Sequence, residues 1–221
     1  MSTAPASYAP VRVEAVLEAP LSRWLWLVKW LMLIPHYVVL FFLYIAFTLV
    51  SIVAFFAILF TERYPRGLFD FNVGVLRWTW RVSYYGYAGL GTDRYPPFSL
   101  GPEPDYPARL DIAYPERLSR GLVLVKWWLL AIPHYIVIAF LAGGASAGWW
   151  GGGLIAVLTV IAAVVLAFTE KYPKDIFDLV VGFDRWVIRV AAYTSLMTDE
   201  YPPFRLDMGG SEPAPASVSG L

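Results

Sequence analysis

"FTERYPRGLFDFNVGVLRW" at residues 60–78 and "FTEKYPKDIFDLVVGFDRW" at residues 168–186 are two versions of one phrase. Each follows a long apolar stretch, breaks at a Tyr-Pro pair and ends at Trp. Because proline restricts both its own backbone and that of the residue before it, the phrase predicts a corner between two helices. Its repetition predicts an internal duplication.

The duplication extends over most of the chain. "SRWLWLVKW" (22–30) matches "SRGLVLVKW" (119–127), "IPHY" recurs at 34–37 and 132–135, and "TDRYPPFSL" (92–100) matches "TDEYPPFRL" (198–206). The segments 11–16 and 108–113 alternate apolar and polar residues like short strands, and 97–100 and 203–207 are also predicted to be strands. We therefore predict a disordered N-terminal tail (1–10), repeat 1 (11–100), a linker (101–107), repeat 2 (108–206) and a disordered C-terminal tail (207–221).

The composition indicates a membrane protein. Of the 221 residues, 58% are hydrophobic and 15% are charged, against about 25% charged in an ordinary soluble domain. No charged residue lies between Trp30 and Thr61 or between Trp127 and Thr169, and both stretches exceed the roughly 20 residues that a membrane span needs. The predicted fold is an all-α integral membrane protein. Each of its two homologous repeats is a transmembrane hairpin plus an amphipathic interfacial helix, with short cytoplasmic β-strands.

The second repeat carries an insertion of about ten residues, "GGASAGWWGGG" (143–153), which predicts a turn between helices near 121–142 and 153–168. Such a hairpin keeps all charged residues on one side of the membrane. The 17 Lys and Arg residues make that side cytoplasmic. We therefore expect a multi-pass protein of the bacterial inner (cytoplasmic) membrane, with cytoplasmic termini and charged segments.

The first repeat has less room for a hairpin. Its apolar stretch predicts either a short hairpin that turns around Thr48–Ser51, with Lys29 extending back to the surface, or an interfacial helix at 21–33 followed by one tilted span at 35–60. The hairpin is the preferred prediction, and the single span is the alternative.

After each Tyr-Pro pair a helix is predicted, at 66–88 and 174–194. Small and charged residues recur on one face of each helix, which is typical of a helix in the headgroup plane. The charged members are candidate contacts for a lipid phosphate or a partner, because Arg binds such oxygens in a bidentate manner. Alternatively they form an Asp–Arg network that holds the helix in place. They are Asp70, Arg77 and Arg81 in the first repeat and Asp178, Arg185 and Arg189 in the second.

Other chemistry has little support. His36 and His134 are the only histidines, and they could ligate haem or a metal, or else be hydrogen-bonded residues at a proline-marked kink. The chain has no Cys, which excludes disulfides and thiolate metal sites, and its zero net charge lacks the basic footprint of a nucleic-acid binder. We predict no catalytic residues, no bound metal and no cofactor.

The phrases quoted above, "RYPRGLFDFNVGVLRW" in particular, resemble a family of bacterial membrane proteins, common in actinobacteria, described as a domain of unknown function. The resemblance covers about Val11 to Leu206, although the second copy has Lys174-Asp175 in place of Arg66-Gly67 and Leu179-Val180 in place of Phe71-Asn72. It implies a membrane protein that often occurs in tandem and has no established enzymatic activity.

The predicted function is a non-enzymatic scaffold or accessory subunit of a larger membrane protein complex. Its expected partners are membrane lipids and other membrane protein subunits. Lipid binding or small-solute transport is the alternative, and a haem-binding electron-transfer subunit is a third hypothesis.

Overall fold

The structure is a computed structural model that describes residues 10–143 and 153–210. Seven α-helices, one π-helix and two strands occur in these ranges. In chain order they are β1 (Val11–Ala15), α1 (Trp26–Met32), α2 (Ile34–Thr61), α3 (Arg66–Tyr85), β2 (Ala108–Ile112), α4 (Arg120–Val125), a π-helix (Lys126–Leu130), α5 (Ile132–Ala142), α6 (Leu154–Thr169) and α7 (Lys174–Thr194). The predicted turn at 143–153 lies outside the described residues except for its two ends, and so do residues 1–9 and 211–221 of the predicted tails.

Residues 34–61 of the first apolar stretch form one unbroken helix, α2, so the predicted hairpin turn at Thr48–Ser51 is wrong. Residues 34–61 contain no Gly, and their single Pro lies in the first turn, where a helix tolerates it. The alternative, a short helix followed by one long helix, agrees with α1 and α2. Lys29 in α1 is buried, so it does not extend to the surface as predicted.

Helix α2 is long and apolar enough to cross a membrane, with 28 residues and a mean hydropathy of 2.7. Among the described residues of the second repeat, the segments Arg120–Leu130 and Ile132–Ala142 are long and apolar enough only when taken together, and they are bent by 45°. Helix α6 is apolar but shorter. Among the described residues there are thus one or two helices that could span a bilayer.

The π-helix has a cause in the sequence. Eight positions separate Lys126 from His134, but only seven separate Lys29 from His36. A π-bulge accommodates one additional residue within a helix. The π-helix therefore keeps Lys126 and His134 in the places that Lys29 and His36 hold in the first repeat.

Helices α3 and α7 begin at the predicted residues but lie inside the fold. No residue after Asp70 in α3, or after Asp175 in α7, is exposed. Helix α3 is covered by α2 and β2, and α7 by α6 and β1. The polar faces that were predicted to meet the lipid headgroups are therefore covered by the chain itself, and the position of these helices relative to the membrane stays a prediction.

Strands β1 and β2 confirm the two predicted lead-in strands and relate the repeats to each other. They pair antiparallel, with Val13 opposite Leu110. These two residues hold the same position in the two repeats, so an approximate two-fold axis passes between them. Ion pairs are exchanged in the same way, from Arg23 to Glu170 (2.6 Å) and from Arg120 to Glu62 (3.1 Å). Each repeat thus supplies the strand partner and an ion-pair partner of the other.

The predicted strands at 97–100 and 203–207 are wrong, because both segments are irregular. Each segment begins with the second proline of a Pro-Pro pair, and proline has no backbone N–H to donate to a sheet. The start of the predicted C-terminal tail is also part of the fold, since the Ala15 N–H donates to the Gly210 carbonyl at 2.8 Å.

Candidate functional site

The arginines of α3 hold neighbouring backbone in place. Arg77 donates from Nε to the Leu110 carbonyl (2.9 Å) and from its guanidinium to the Asp111 carboxylate (2.8 Å). Arg81 donates to the Gly101 carbonyl at 3.0 Å and to the Ser99 carbonyl. Asp70 does not join them, because it pairs with Arg66 one turn earlier at 3.2 Å.

The second repeat uses the equivalent residues similarly. Arg185 donates to the Val13 carbonyl at 2.9 Å and to the Asp207 carbonyl at 2.7 Å. Arg189 forms an ion pair with the Asp207 carboxylate at 2.6 Å. Asp178 pairs with Lys174 instead. In both repeats the structure brings the two arginines together and leaves the aspartate outside the cluster.

A cavity of about 320 Å³ lies beside Arg77 and Arg81, between α3, the sheet and the segment after Leu100. Four arginines and three carboxylates line it, namely Arg12, Arg77, Arg81, Arg109, Glu14, Glu103 and Asp111. At this cavity, Arg77 and Arg81 of the predicted arginine face are not fully covered by other parts of the chain. Lipid or partner contact at these arginines stays a prediction.

The histidines occupy matched aromatic sites. The Trp78 indole N–H donates to Nδ1 of His36 at 3.1 Å, and Trp186 does the same to His134. Phe98 stacks on His36 with ring centroids 3.9 Å apart, and Phe204 stacks on His134 at 4.4 Å. The "RYPPF" and "EYPPF" segments thus cover the histidines, a role that sequence reasoning missed.

The tryptophan bond argues against metal ligation by these rings. A neutral imidazole has one acceptor nitrogen, and here it is Nδ1, so Nε2 carries the proton and offers no lone pair. Haem or a metal ion would have to displace the tryptophan. Within residues 10–143 and 153–210, no group of three or more His, Cys, Asp or Glu is placed to hold a metal ion.

Comparison with known proteins agrees with this two-fold arrangement. Residues 23–99 and residues 123–205 each match the family model of the domain of unknown function DUF4389. The chain belongs to the DUF4389 family. No curated protein and no solved structure matches it. The resemblance noted from the sequence and the tandem duplication are both confirmed.

Each DUF4389 unit also contains a buried ion pair that the sequence reasoning missed. Nζ of Lys29 lies 3.0 Å from the Asp93 carboxylate and donates to the Thr92 carbonyl at 2.6 Å. Lys126 and Asp199 form the equivalent pair at 2.7 Å. The signal was present, since "VKW" and "TD" recur together in both units, but they are more than 60 positions apart in each.

Asp184 of the second DUF4389 unit is another residue that was missed. It occupies the position of Leu76 in the first unit, it is 6% exposed, and its Oδ2 has no hydrogen-bond partner among the described residues. Burial raises the pKa of Asp184 well above its usual range. The folded environment therefore favours the protonated form of the Asp184 carboxyl group.

We expect Asp184→Asn to stabilise the protein at neutral pH by on the order of 1 kcal/mol or more. The unfolded carboxyl group ionises above about pH 4, whereas folding favours its protonated form, so the wild type loses stability as the pH rises from there. Thermal unfolding in detergent between pH 4 and pH 8 measures the effect. Asp70→Asn, at an exposed position, is the control and should change little. An equal gain for Asp184→Asn at pH 4 and pH 8 would contradict the explanation.

Proposed function

We propose that the protein is a non-enzymatic accessory or scaffold subunit that is embedded in the bilayer through the apolar helices of both repeats. The observation that carries this proposal is the apolar outer surface of those helices. Only 11% of the most apolar 18-residue segment of α2 is buried inside the protein. Large apolar side chains stand exposed along α2, α5 and α6, among them Phe42 (64%), Phe60 (72%), Phe140 (69%) and Phe168 (80%). A surface of this kind needs lipid or a partner helix to cover it.

Tryptophans support a membrane boundary at the beginning of each apolar stretch. Trp24 and Trp30 are exposed in the first repeat, and Trp127 and Trp128 in the second. Exposed Trp side chains are enriched at the level of the lipid headgroups. The matched pair Trp30 and Trp127 favours one common depth for the two repeats.

The exchanged ion pairs favour entry from a single side. Arg23, before α1, contacts Glu170, which ends α6, so these two residues share a depth. A two-fold axis along the membrane normal would give Glu170 the same depth as its equivalent Glu62. Both ends of the first apolar stretch, Arg23 and Glu62, then lie on one side, so the unbroken helix α2 would lie along the membrane and not cross it. By the distribution of Lys and Arg that side is cytoplasmic.

This topology can be tested by cysteine labelling, because the native chain has no Cys. We expect single-cysteine variants Trp24→Cys and Arg63→Cys to react with an impermeant maleimide from the cytoplasmic face only. Asp105→Cys, on an exposed loop between the repeats, is the reference for the charged side. Labelling of Trp24→Cys and Arg63→Cys from opposite faces would show that the stretch crosses the membrane once.

The lack of charged residues on the apolar helices favours an accessory role over transport. Helices α2, α5 and α6 contain no charged residue, while transport pathways through a membrane usually carry some. Purification in a mild detergent followed by mass spectrometry tests the role. We expect a co-purifying membrane protein at near-stoichiometric yield. A monodisperse chain with no such protein would refute the accessory role without affecting the membrane topology.

A further inference from the structure

The two repeats differ at one position that decides how their arginine clusters are neutralised. After the matched leucines Leu100 and Leu206, the first repeat has Gly101 and the second has Asp207. The leucines lie in equivalent places, since Leu100 packs on Gly74 and Leu206 packs on Gly182. Gly101 and Asp207 are therefore structural equivalents.

In the second repeat the side chain of Asp207 neutralises the cluster. Its carboxylate pairs with Arg189 at 2.6 Å and with Arg205 at 3.2 Å. Together with the Arg185 contact to its carbonyl, Asp207 joins three arginines. In the second repeat, therefore, an oxyanion binds Arg189, the equivalent of Arg81, together with Arg205, whose equivalent in the first repeat is Ser99.

In the first repeat no side chain supplies that oxyanion. Arg81 is only 2% exposed and donates to two carbonyls, and its Nε has no partner among the described residues. Glu103 is near enough to affect Arg81 electrostatically, but it forms no ion pair with it in the described structure. Arg81 is therefore a buried cation without a carboxylate partner, a costly arrangement unless another anion compensates it.

The cavity beside Arg81 has the size and charge to accept such an anion. Its volume of about 320 Å³ lies at the lower end of the range for small-molecule sites. Its four arginines exceed its three carboxylates by one positive charge. Asp111 pairs with Arg77, and Glu14 pairs with both Arg109 and Arg12, so Arg81 and Glu103 are the lining charges without an ion pair among the described residues.

We propose that the groove at Arg77 and Arg81 binds the phosphate group of an external ligand, in the place that the Asp207 carboxylate holds in the second repeat. Guanidinium groups bind phosphate and carboxylate oxygens with the same planar donor geometry. The phosphate can belong to a soluble phosphate ester or to a lipid headgroup. The site rests on the comparison of the repeats and does not depend on the accessory role.

The test supplies the internal ligand to the first repeat. Gly101 tolerates a side chain, because an added Cβ would meet only Ser99 Oγ at 3.4 Å. We expect Gly101→Asp to weaken the binding of glycerol 3-phosphate, measured by titration calorimetry in a non-ionic detergent, by tenfold or more. Gly67→Asp is the matched control, since it adds the same charge to open space on α3 about 15 Å from Arg77. Equal glycerol 3-phosphate binding by wild type and Gly101→Asp would rule out a soluble phosphate ester as the ligand.

A second arm distinguishes the sources of the phosphate. Native mass spectrometry of protein from nanodiscs of phosphatidylcholine and phosphatidylglycerol counts the retained anionic lipid. If Gly101→Asp retains less phosphatidylglycerol but binds glycerol 3-phosphate as the wild type does, the ligand is a lipid headgroup. Weaker binding of glycerol 3-phosphate by Gly101→Asp assigns a soluble ester. An effect in neither assay overturns the proposal.

The reciprocal variant keeps the test decisive if Gly101→Asp does not fold. Asp207→Ala removes the internal ligand of the second repeat, so phosphate should bind there too, and the stoichiometry should rise from one to two. Added phosphate should also raise the melting temperature of Asp207→Ala more than that of the wild type. No gain of a site in Asp207→Ala would count against phosphate recognition by this arginine arrangement.

Discussion

Asp93→Asn is expected to lower the free energy of unfolding by about 3–5 kcal/mol, because it leaves the Lys29 ammonium buried without its counter-ion. Lys29 is 1% exposed, and apart from Asp93 it contacts the Thr92 carbonyl and the Tyr85 ring. Lys29→Met should cost less, since it removes the buried charge, and the remaining Asp93 is partly exposed and accepts a hydrogen bond from the Ser22 N–H. Denaturant unfolding in detergent measures both changes.

The pH dependence provides an independent check. Burial lowers the pKa of Lys29, and Asp93 opposes that shift. Without Asp93, the folded state favours the neutral amine even more, so part of the lost stability should return as the pH rises toward 10. Arg66→Ala is the control, because its ion pair with Asp70 is largely exposed and should contribute less than about 1 kcal/mol. Equal losses in the free energy of unfolding for Asp93→Asn and Arg66→Ala would show that the buried ion pair contributes no more to stability than the exposed one.

Gly74→Ala is the second change with a large expected effect, a loss of about 1–3 kcal/mol. An added Cβ would lie 2.9 Å from both Cβ and the carbonyl oxygen of Leu100, and the backbone oxygen cannot move aside without displacing the segment that holds Arg81. For a chain of this size the melting temperature should fall by several degrees.

Gly67→Ala is the matched control on the same helix. Gly67 faces open space, so alanine there should stabilise the helix by about 0.5–1 kcal/mol. Opposite signs for Gly74→Ala and Gly67→Ala are the expected result. A stabilising Gly74→Ala would contradict the close packing of Leu100 on α3.

Local features of the fold were predictable from the sequence. Tyr64-Pro65 and Tyr172-Pro173 mark the starts of α3 and α7, because proline at a helix start needs no long-range contact to act. The alternation in 11–16 and 108–113 likewise identified β1 and β2. The absence of glycine from residues 34–61 also indicated the continuity of α2, against the preferred hairpin.

Features that depend on distant partners were not predictable. Arg77 and Arg81 have the spacing of an interfacial helix face, but a sheet strand and the segment after Leu100 cover that face. Periodicity reports that one side of a helix is polar, and it cannot report whether lipid, water or the chain itself meets that side. The His36–Trp78 and Lys29–Asp93 contacts join motifs that no local rule connects.

The sequence by itself determined the duplication, the helix starts and the long apolar stretches, because these arise from residue types and spacing along a short length of chain. Only the tertiary structure decided that the repeats exchange contacts about an approximate two-fold axis, and that Asp207 pairs with Arg189 while Gly101 leaves the equivalent Arg81 without a carboxylate partner. The physical reason is that the pairing of a buried charge depends on groups brought near it by folding. A one-residue difference between repeats acquires meaning only when its neighbours in space are known.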